Sequence, residues 1–240
     1  MDLSNNKILI TGGASGIGLG LTKRFLEEGN TIIVCGRRQD VLDKLATEYP
    51  GVITRQCDLS DEADRKALYE WVAAEHIDLT VLCNNAGIQQ WMDVSDPDFY
   101  ERAEAEIITN VLAPIHLTNL FINLPSLKTI MNVTSGLAFV PLAKVAVYSA
   151  TKAFFRSFTL SLRRMLRDRH IEVVEVIPPA LNTDLGGKGI HDAAPPVSDF
   201  IESIFAQLKE GKDEVTFGMS ADRANANNGV VKDLFGKMNS

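Results

Sequence analysis

The sequence predicts one α/β domain in which helices cover both faces of a mostly parallel, doubly wound sheet of about seven strands. Short, almost continuously apolar runs alternate with longer amphipathic stretches, as expected for strands that are buried on both faces. A glycine-rich turn separates the first run from the first amphipathic stretch. A chain of 240 residues is long enough for one large domain, so we assign residues 1–240 to it.

The apolar runs define the predicted strands, which lie at 7–10, 31–35, 52–57, 79–83, 129–133 and 171–177, with a seventh indicated at 214–217. The amphipathic stretches define the predicted helices, which lie at 17–28, 41–48, 62–75, 99–124, 148–167 and 228–238. Strict alternation of this kind implies right-handed crossovers between parallel strands. We expect the last helix, 228–238, to cap the core or a neighbouring subunit.

Composition narrows the class of function. The net charge of −7 argues against a nucleic-acid surface or an anionic membrane partner. The chain begins without the basic and apolar segments of a signal peptide, and no apolar run approaches the roughly 20 residues of a spanning helix. Cys35, Cys57 and Cys83 are far apart and lie in apolar runs, which predicts buried thiols and no metal site. A cytoplasmic protein is expected.

The turn after the first strand reads TGGASGIG over residues 11–18. Glycine lets a chain reverse tightly, approach a pyrophosphate with its backbone and bring a helix close to the sheet. Phosphates then bind at the positive end of the helix. The pattern therefore predicts dinucleotide binding of the Rossmann type, with contacts from Gly12, Ser15, Gly16, Ile17 and Gly18; the alternative is a glycine turn without a ligand.

Tyr148 and Lys152 lie one turn apart on a predicted helix, thirteen residues after Ser135. An ammonium beside a phenol favours the phenolate, so we expect Lys152 to lower the pKa of Tyr148 from about 10. A phenol tuned in this way can exchange a proton with an alcohol or a carbonyl. Alone, the pair would be a weak pattern, because such residues meet by chance on many helices.

Five motifs in order along the chain resemble those of the short-chain dehydrogenase/reductase family. They are the glycine turn at 11–18, NNAG at 84–87, Asn110, Ser135, and Tyr148 with Lys152. The strings NNAGIQ at 84–89 and IPPALNTDL at 177–185 are similar to the DltE-like branch in particular. The resemblance covers essentially the whole chain. It implies an oxidoreductase that transfers a hydride between a nicotinamide cofactor and a small or medium carbonyl or secondary alcohol.

The resemblance also implies a role for each motif residue. Tyr148 is the general acid in reduction and the general base in oxidation, and Lys152 lowers its pKa and binds the nicotinamide ribose. Ser135 donates a hydrogen bond to the substrate oxygen. Asn110 kinks its helix and holds a water for a proton relay, although an asparagine within a helix can also bond locally.

Further cofactor contacts follow from the resemblance at Asp58, Leu59, Asn85, Ala86, Gly87, Pro178, Leu181 and Thr183. Asn84 can instead brace the central sheet. The sequence departs from the family where Pro178-Pro179 replaces the usual Pro-Gly, which stiffens the turn and removes a donor.

Charge at the end of the second strand indicates which nicotinamide cofactor is used. An acidic residue there would hold a ribose 2′-hydroxyl, whereas arginine accepts a 2′-phosphate. In this sequence Gly36 occupies the position where the acidic residue would stand, and Arg37 and Arg38 follow it. Because arginine pairs well with phosphate oxygens, NADP(H) is favoured over NAD(H). Arg38 can alternatively be a solvated residue at the start of a helix.

The substrate is expected to be a small molecule in a mostly apolar pocket. Candidate wall residues adjoin the motifs: Ile88, Gln89, Leu137, Phe139, Leu142 and Leu185. The Gly- and Pro-containing stretch 185–196 is predicted to cover the substrate, the alternative being a plain surface connection. No pattern resembles a carboxylate clamp. Five arginines on and just beyond the Tyr148 helix are expected at a solvated or subunit-facing surface: Arg156, Arg163, Arg164, Arg167 and Arg169.

The predicted helices at 99–124 and 148–167 carry apolar residues on more than one face. This pattern favours a homodimer or homotetramer, and burial within one subunit is the competing explanation. An alternative function is a redox-sensing or scaffold protein that binds nicotinamide without turnover. A sugar-nucleotide epimerase or dehydratase would need a larger substrate domain than 240 residues leave room for.

Overall fold

A parallel sheet forms the centre of the computed structural model, which describes residues 1–239. Across these residues the sheet has seven strands in the order β3-β2-β1-β4-β5-β6-β7. The strands are β1 (Lys7–Thr11), β2 (Thr31–Gly36), β3 (Val52–Gln56), β4 (Val81–Asn84), β5 (Thr129–Val133), β6 (Glu172–Ile177) and β7 (Glu214–Thr216). The predicted doubly wound fold is confirmed, and each predicted strand is present with ends that shift by at most two residues.

Helices connect the strands and lie on both faces of the sheet. They are α1 (Gly16–Glu27), α2 (Gln39–Glu48), α3 (Glu62–Glu75), α4 (Phe99–Ile107), α5 (Ala113–Phe121), α6 (Ala146–Met165), α7 (Val197–Lys209), α8 (Met219–Ala224) and α9 (Asn228–Met238). The predicted helix at 99–124 is interrupted, because a π-helical turn, Ile108–Leu112, separates α4 from α5.

Alternating side chains of the strands divide the core into two layers. Ile8 and Ile10 of β1 pack with α1, α2 and α7 on one face, whereas Leu9 packs with α3, α5 and α6 on the other. Successive side chains of a strand point to opposite faces of the sheet. A sheet that is covered on both faces therefore requires continuous apolar runs. The three cysteines are buried free thiols, as predicted.

Helices α7 and α8 are absent from the sequence-based assignment. The apolar residues of α7, which include Phe200, Ile204 and Phe205, recur at helical spacing and are fully buried against α1 and the sheet. Helix α9 forms where it was expected, but none of its residues is buried. It does not cap the core within one subunit, which leaves a neighbouring subunit as the remaining expectation.

Two of the arginines expected at a solvated or subunit-facing surface are half-buried and pair with carboxylates. The Arg156 guanidinium pairs with the carboxylate of Glu175, whose side chain is fully buried. Arg163 contacts Asp213 and Glu214, with a 3.0 Å distance to the Glu214 carboxylate. Nothing in the sequence indicated these ion pairs, because β6 carries a buried carboxylate that only the folded structure brings beneath α6.

Strand order reverses on either side of β1, where β2 and β4 are its neighbours. A crevice opens at the carboxyl ends of strands at such a switch point, and ligands of doubly wound sheets bind there. The glycine turn follows β1, NNAG follows β4 and Ser135 follows β5, so the fold brings three motifs to one edge. Within residues 1–239, no helix is long and apolar enough to cross a membrane.

Candidate active site

The glycine turn after β1 leaves no room for larger side chains. A Cβ built on Gly18 would lie 2.2 Å from the carbonyl oxygen of Gly12 and 2.5 Å from Nδ2 of Asn85. Gly12 and Gly16 have φ angles of +65° and +52°, which L side chains rarely adopt. Ser15 makes no side-chain cap, so the first N–H groups of α1 face the crevice without a capping partner. Backbone donors at the positive end of a helix suit an anionic diphosphate.

Thr11 ties the glycine turn to the NNAG motif. Its Oγ1 accepts hydrogen bonds from the backbone N–H groups of Asn85 and Ala86, each at 3.0 Å, and Asn85 Nδ2 donates back to the Thr11 carbonyl at 2.8 Å. Asn84 braces the sheet, as the alternative interpretation held, by donating to Oδ1 of Asn132 in β5 at 3.0 Å. The role of Thr11 was not predicted, since it depends on β1 and β4 lying side by side.

A cleft of about 770 Å³ at this edge brings most of the predicted site residues together. The predicted residues that line it are Gly12, Ser15, Gly16, Ile17, Gly18, Arg37, Arg38, Asp58, Leu59, Asn85, Ala86, Gly87, Tyr148, Lys152, Pro178 and Thr183. Leu181 does not line the cleft, because its side chain is 2% exposed and packs in the core beneath. Ser135 and Asn110 lie just behind the wall, where each contacts residues that line it.

Tyr148 and Lys152 project from one turn of α6 into the floor of the cleft. Lys152 Nζ donates to the carbonyl of Val133 at 2.8 Å and lies 5.7 Å from the centre of the Tyr148 ring. Gly87 closes the floor, and a Cβ built there would be 3.6 Å from Lys152 Nζ and 3.3 Å from Oδ1 of Asn110. Both α6 side chains are buried, with exposures of 6% and 4%.

Burial dominates the protonation of this pair. It raises the pKa of Tyr148 well above the ordinary value, although a hydrogen bond with Ser135 opposes the change. Burial likewise lowers the pKa of Lys152 to about 8. The net shift is thus opposite to the expected lowering, and its causes are burial, Ser135 and Glu106 rather than Lys152, so the expected effect of Lys152 on the pKa of Tyr148 stays a prediction.

Asn110 lies within the π-helical turn between α4 and α5, as its predicted kinking role requires. Its Oδ1 accepts from the backbone N–H of Ile88 at 2.9 Å, and its Nδ2 donates to the Ile88 carbonyl at 2.8 Å. A second Nδ2 contact, 3.2 Å to Oγ1 of Thr151, ties it to α6. Asn110 therefore joins the substrate wall to the helix that carries Tyr148.

A buried carboxylate one turn before Asn110 was not predicted. Glu106 has no exposed surface, and it accepts a hydrogen bond from the backbone N–H of Gln90. Burial raises its pKa to about 7, with the Gln90 N–H and Arg102 acting in the opposite sense. Its charge also raises the pKa of Tyr148. Sequence alone shows Glu106 as one of several acidic residues on an amphipathic helix, and burial singles it out.

The far end of the cleft carries the predicted nucleotide-selecting residues. Arg37 and Arg38 line the cleft and are exposed, and the Arg37 carbonyl is held by Gln56 Nε2 at 2.9 Å. Burial works to raise the pKa of Asp58, but two hydrogen bonds from Ser60 to Oδ1 and the nearby Arg37 lower it overall. Asp58 is thus an ionised acceptor whose second oxygen is available to a ligand.

The segment 185–196 forms one wall of the cleft through Leu185, Gly186 and Gly187. Asn182, which precedes the segment, holds its C-terminal part, because the N–H of Asn182 donates to the Pro195 carbonyl at 2.9 Å and its Nδ2 to the Asp192 carbonyl at 3.1 Å. Of the predicted pocket residues, Ile88, Gln89 and Leu185 line the cleft, whereas Leu137, Phe139 and Leu142 do not. Within residues 1–239 no group of three metal-binding side chains comes together.

These features fit a nicotinamide dinucleotide. The glycine turn provides a cradle that a single Cβ would fill, arginines lie at one end of the cleft, and a buried Tyr-Lys pair lies at the other. Thr183 and Pro178, at the end of β6, line the cleft between them. The backbone carbonyl of Pro178 is engaged by the N–H of Gly136 at 2.9 Å, so the unusual second proline leaves this connection intact.

Comparison with known proteins agrees with this geometry. A family model described as short chain dehydrogenase matches residues 6–193. The chain is 42% identical to "Uncharacterized oxidoreductase DltE" of Bacillus subtilis (strain 168), over 100% of this chain and 99% of that protein. It is 32% identical to "NADP-dependent 3-hydroxy acid dehydrogenase YdfG" of Escherichia coli (strain K12), over 71% of each.

Solved structures share the fold. A short-chain dehydrogenase from Sphingobium yanoikuyae in complex with NADPH superimposes with a TM-score of 0.82 at 27% identity, over 96% of this chain and 95% of that one. A short chain dehydrogenase from Burkholderia cenocepacia J2315 in complex with NADP gives a TM-score of 0.86 at 24% identity over both whole chains. With its ordered motifs gathered at one sheet edge, this chain belongs to the short-chain dehydrogenase/reductase family of oxidoreductases.

Proposed function

We propose that the protein is an NADP(H)-dependent oxidoreductase that interconverts a small or medium carbonyl compound and its secondary alcohol, with Tyr148 as the general acid or base. One observation carries the proposal: the Tyr148 side chain lies at the floor of the cleft, close to Ser135 and one helical turn from a buried lysine. A phenol in this position can exchange its proton with a substrate oxygen.

The bound cofactor supplies the hydride chemistry, and the protein contributes orientation and control of protons. The glycine turn and the N-terminal end of α1 would hold the diphosphate, and Asn85 with Gly87 would line the adenosine ribose. Lys152 is placed to hold the nicotinamide ribose, because its Nζ has one protein acceptor, the Val133 carbonyl, and two further N–H groups.

At neutral pH the site holds the proton that carbonyl reduction requires. Burial raises the pKa of Tyr148, so the phenol carries the proton that a reduced carbonyl oxygen must receive. Ser135 orients that phenol and can donate to the same substrate oxygen as negative charge develops on it. Lys152 is protonated below a pKa of about 8 and provides a positive charge at the site. In oxidation the phenolate would accept the alcohol proton.

NADP(H) is preferred over NAD(H) in this proposal. Arg37 and Arg38 line the cleft where β2 ends, next to Gly36 rather than an acidic residue. Guanidinium groups bind phosphate oxygens in pairs, whereas a glycine offers no acceptor to a ribose hydroxyl. The names of the Escherichia coli relative and of the Sphingobium structure, which specify NADP and NADPH, support the same preference.

The chain is further proposed to form a homodimer or homotetramer in the cytoplasm. Ile107, Leu112 and Phe154 are 43%, 50% and 49% exposed on α4, the π-helical turn and α6, so burial within one subunit does not account for these apolar residues. Light scattering coupled to gel filtration should show at least a dimer. Replacing both Leu112 and Phe154 with glutamate should lower the measured mass to that of one chain; an unchanged mass would place the interface elsewhere.

The function is tested with purified protein, NADPH or NADH, and a panel of ketones and aldehydes. We expect NADPH oxidation that depends on the carbonyl compound and falls at least about 100-fold in Tyr148→Phe, since general acid catalysis contributes factors of this size. Tyr100→Phe is the matched control, because Tyr100 is 72% exposed on α4. Full activity of Tyr148→Phe would reject the mechanism. Tight NADPH binding without turnover of any carbonyl would favour the redox-sensing or scaffold alternative.

A further inference from the structure

One ion pair beneath α6 holds the segment 134–139, which carries Ser135, at both of its ends. The Arg156 guanidinium of α6 pairs with the carboxylate of Glu175 in β6, whose side chain has no exposed surface. Glu214 lies farther away, at 3.6 Å from the same guanidinium nitrogen. A buried carboxylate without a partner is costly, so we expect Arg156 and Glu175 to stay together. The pair therefore provides a fixed point for the segment.

Glu175 holds the segment at its first residue. Its Oε2 faces Arg156, while its Oε1 accepts a hydrogen bond from Oγ1 of Thr134 at 2.7 Å. Thr134 is 1% exposed, and its backbone N–H donates to the Val176 carbonyl at 2.9 Å. Since Thr134 immediately precedes Ser135, the carboxylate helps to set where the chain leaves β5 for the cleft.

Arg156 holds the segment at its last residue. The guanidinium carbon lies 4.2 Å from the centre of the Phe139 ring, a distance at which a cation is attracted to the face of an aromatic ring. Phe139 ends a short 3-10 turn, Gly136–Ala138, that begins at Ser135. The Oγ of Ser135 accepts a hydrogen bond from the N–H of Leu137 at 3.1 Å, so the hydroxyl is part of this turn. A movement of Phe139 would therefore be passed on to Ser135.

We propose that Arg156 and Glu175 are positioning residues that hold Ser135 in place beside Tyr148. Arg156 lies about two turns after Tyr148 on α6, so the ion pair ties the Ser135 segment to the helix that carries the phenol. A displacement of a reacting group by about 1 Å can lower a rate about 100-fold. The inference rests on the proposed function, in which Ser135 orients the phenol and donates to the substrate oxygen.

The kinetic test removes the ion pair with and without the Ser135 hydroxyl. The variant combines Arg156→Met with Glu175→Gln, because glutamine keeps an acceptor for Thr134 and leaves no unpaired charge in the core. The rate constant for carbonyl reduction is measured in single turnovers with enzyme in excess over NADPH, so that slow variants stay measurable. It should be about tenfold lower than in wild type, with unchanged NADPH affinity by calorimetry. In a Ser135→Ala background the same two changes should lower it less than about twofold.

Two further variants accompany this test. Arg163→Met removes another ion pair of α6, with the carboxylates at 213 and 214, and should leave the rate constant unchanged. Phe139→Leu leaves the Arg156 ion pair in place and should lower the rate constant about threefold in wild type but not in Ser135→Ala. If the doubly substituted protein does not fold, the Phe139→Leu result decides between the two outcomes.

Hydrogen exchange measures how firmly the segment is held without any need for turnover. The amides of residues 137–140 bond to oxygens of Ser135 and Gly136, so their exchange reports on this turn. In the protein with Arg156→Met and Glu175→Gln they should exchange about tenfold faster than in wild type, whereas the amides of β1 should not change. Arg163→Met should leave both sets of amides unchanged.

The results separate the two proposals. Turnover of carbonyls with equal losses in the wild-type and Ser135→Ala backgrounds, or with unchanged exchange at 137–140, would overturn the positioning role and leave the proposed function standing. Faster exchange at 137–140 without turnover of any carbonyl would support the hold of the ion pair on the segment and reject the proposed function. Faster exchange together with a rate loss that requires the Ser135 hydroxyl would support both.

Discussion

Glu106→Gln should remove a large part of the pH dependence of stability. Burial raises the pKa of Glu106 from 4.5 to about 7, so the folded protein holds this proton more tightly than the unfolded chain does. The resulting stabilisation is present below pH 4.5 and is lost as the pH rises towards and through 7. At 1.36 kcal/mol per pKa unit, wild type should lose about 3 kcal/mol relative to the glutamine variant by pH 8.

Urea unfolding at pH 5, 6, 7 and 8 measures this effect. Glutamine keeps an oxygen for the Gln90 N–H but does not titrate, so the difference in unfolding free energy between the proteins should change by about 2 to 3 kcal/mol across this range. Other titrating groups cancel in the difference. Glu104→Gln is the control, because Glu104 is exposed on the same helix. If the unfolding free energies of wild type and Glu106→Gln changed equally with pH, the raised pKa of Glu106 would be refuted.

Three further predictions concern the cofactor and the proton donor. Replacing Arg37 and Arg38 together with serine should raise the KM for NADPH about tenfold, the equivalent of 1.4 kcal/mol, and leave the KM for NADH nearly unchanged; equal effects on both cofactors would contradict phosphate recognition. Gly18→Ala should weaken NADPH binding measured by calorimetry at least about tenfold, because its Cβ would lie 2.2 Å from a carbonyl oxygen of the same turn. Gly51→Ala, where nothing lies within 4 Å, should bind normally. The kcat/KM for carbonyl reduction should fall as the pH rises through about 8, where Lys152 loses its proton. In the activity that Lys152→Arg retains, this fall should move to higher pH. If the pH of the fall does not change in Lys152→Arg, the titrating group is not Lys152.

The pattern of apolar residues was enough to predict the sheet and its connections, because strands that are buried on both faces are almost continuously apolar. The same reasoning missed α7, whose apolar residues at 200, 201, 204, 205 and 208 do repeat at helical spacing but follow a Pro- and Gly-containing segment. Periodicity also gave no sign of the π-helical turn, which only the family resemblance implied, as a kink at Asn110. That turn depends on Asn110 bonding both to Ile88 and to Thr151, contacts between elements far apart in the sequence.

The site residues could be predicted where a sequence motif fixes the local geometry. They were harder to predict where tertiary packing determines the position or the pKa of a side chain. Of the predicted cofactor residues, Leu181 alone lies off the cleft, and its apolar character is consistent with the core position it takes. The pKa of Tyr148 could not be predicted from spacing, because the cost of burying a phenolate depends on every element packed around it. Glu106 shows the same limit, since its identity gives no sign that it is buried.

Helix α4 and the π-helical turn connect the cleft wall near Ile88 to the surroundings of Tyr148. Asn110 and Glu106 hold the backbone of Ile88 and Gln90, while Asn110 also bonds to α6 through Thr151 and the Glu106 charge raises the pKa of Tyr148. A shift of the wall against the helix would therefore alter the surroundings of the phenol. Since a neutral Glu106 opposes the phenolate less than an ionised one, its titration near pH 7 makes the phenolate harder to form as the pH rises. That coupling works against alcohol oxidation and retains Tyr148 as a proton donor over the range in which carbonyl reduction is proposed.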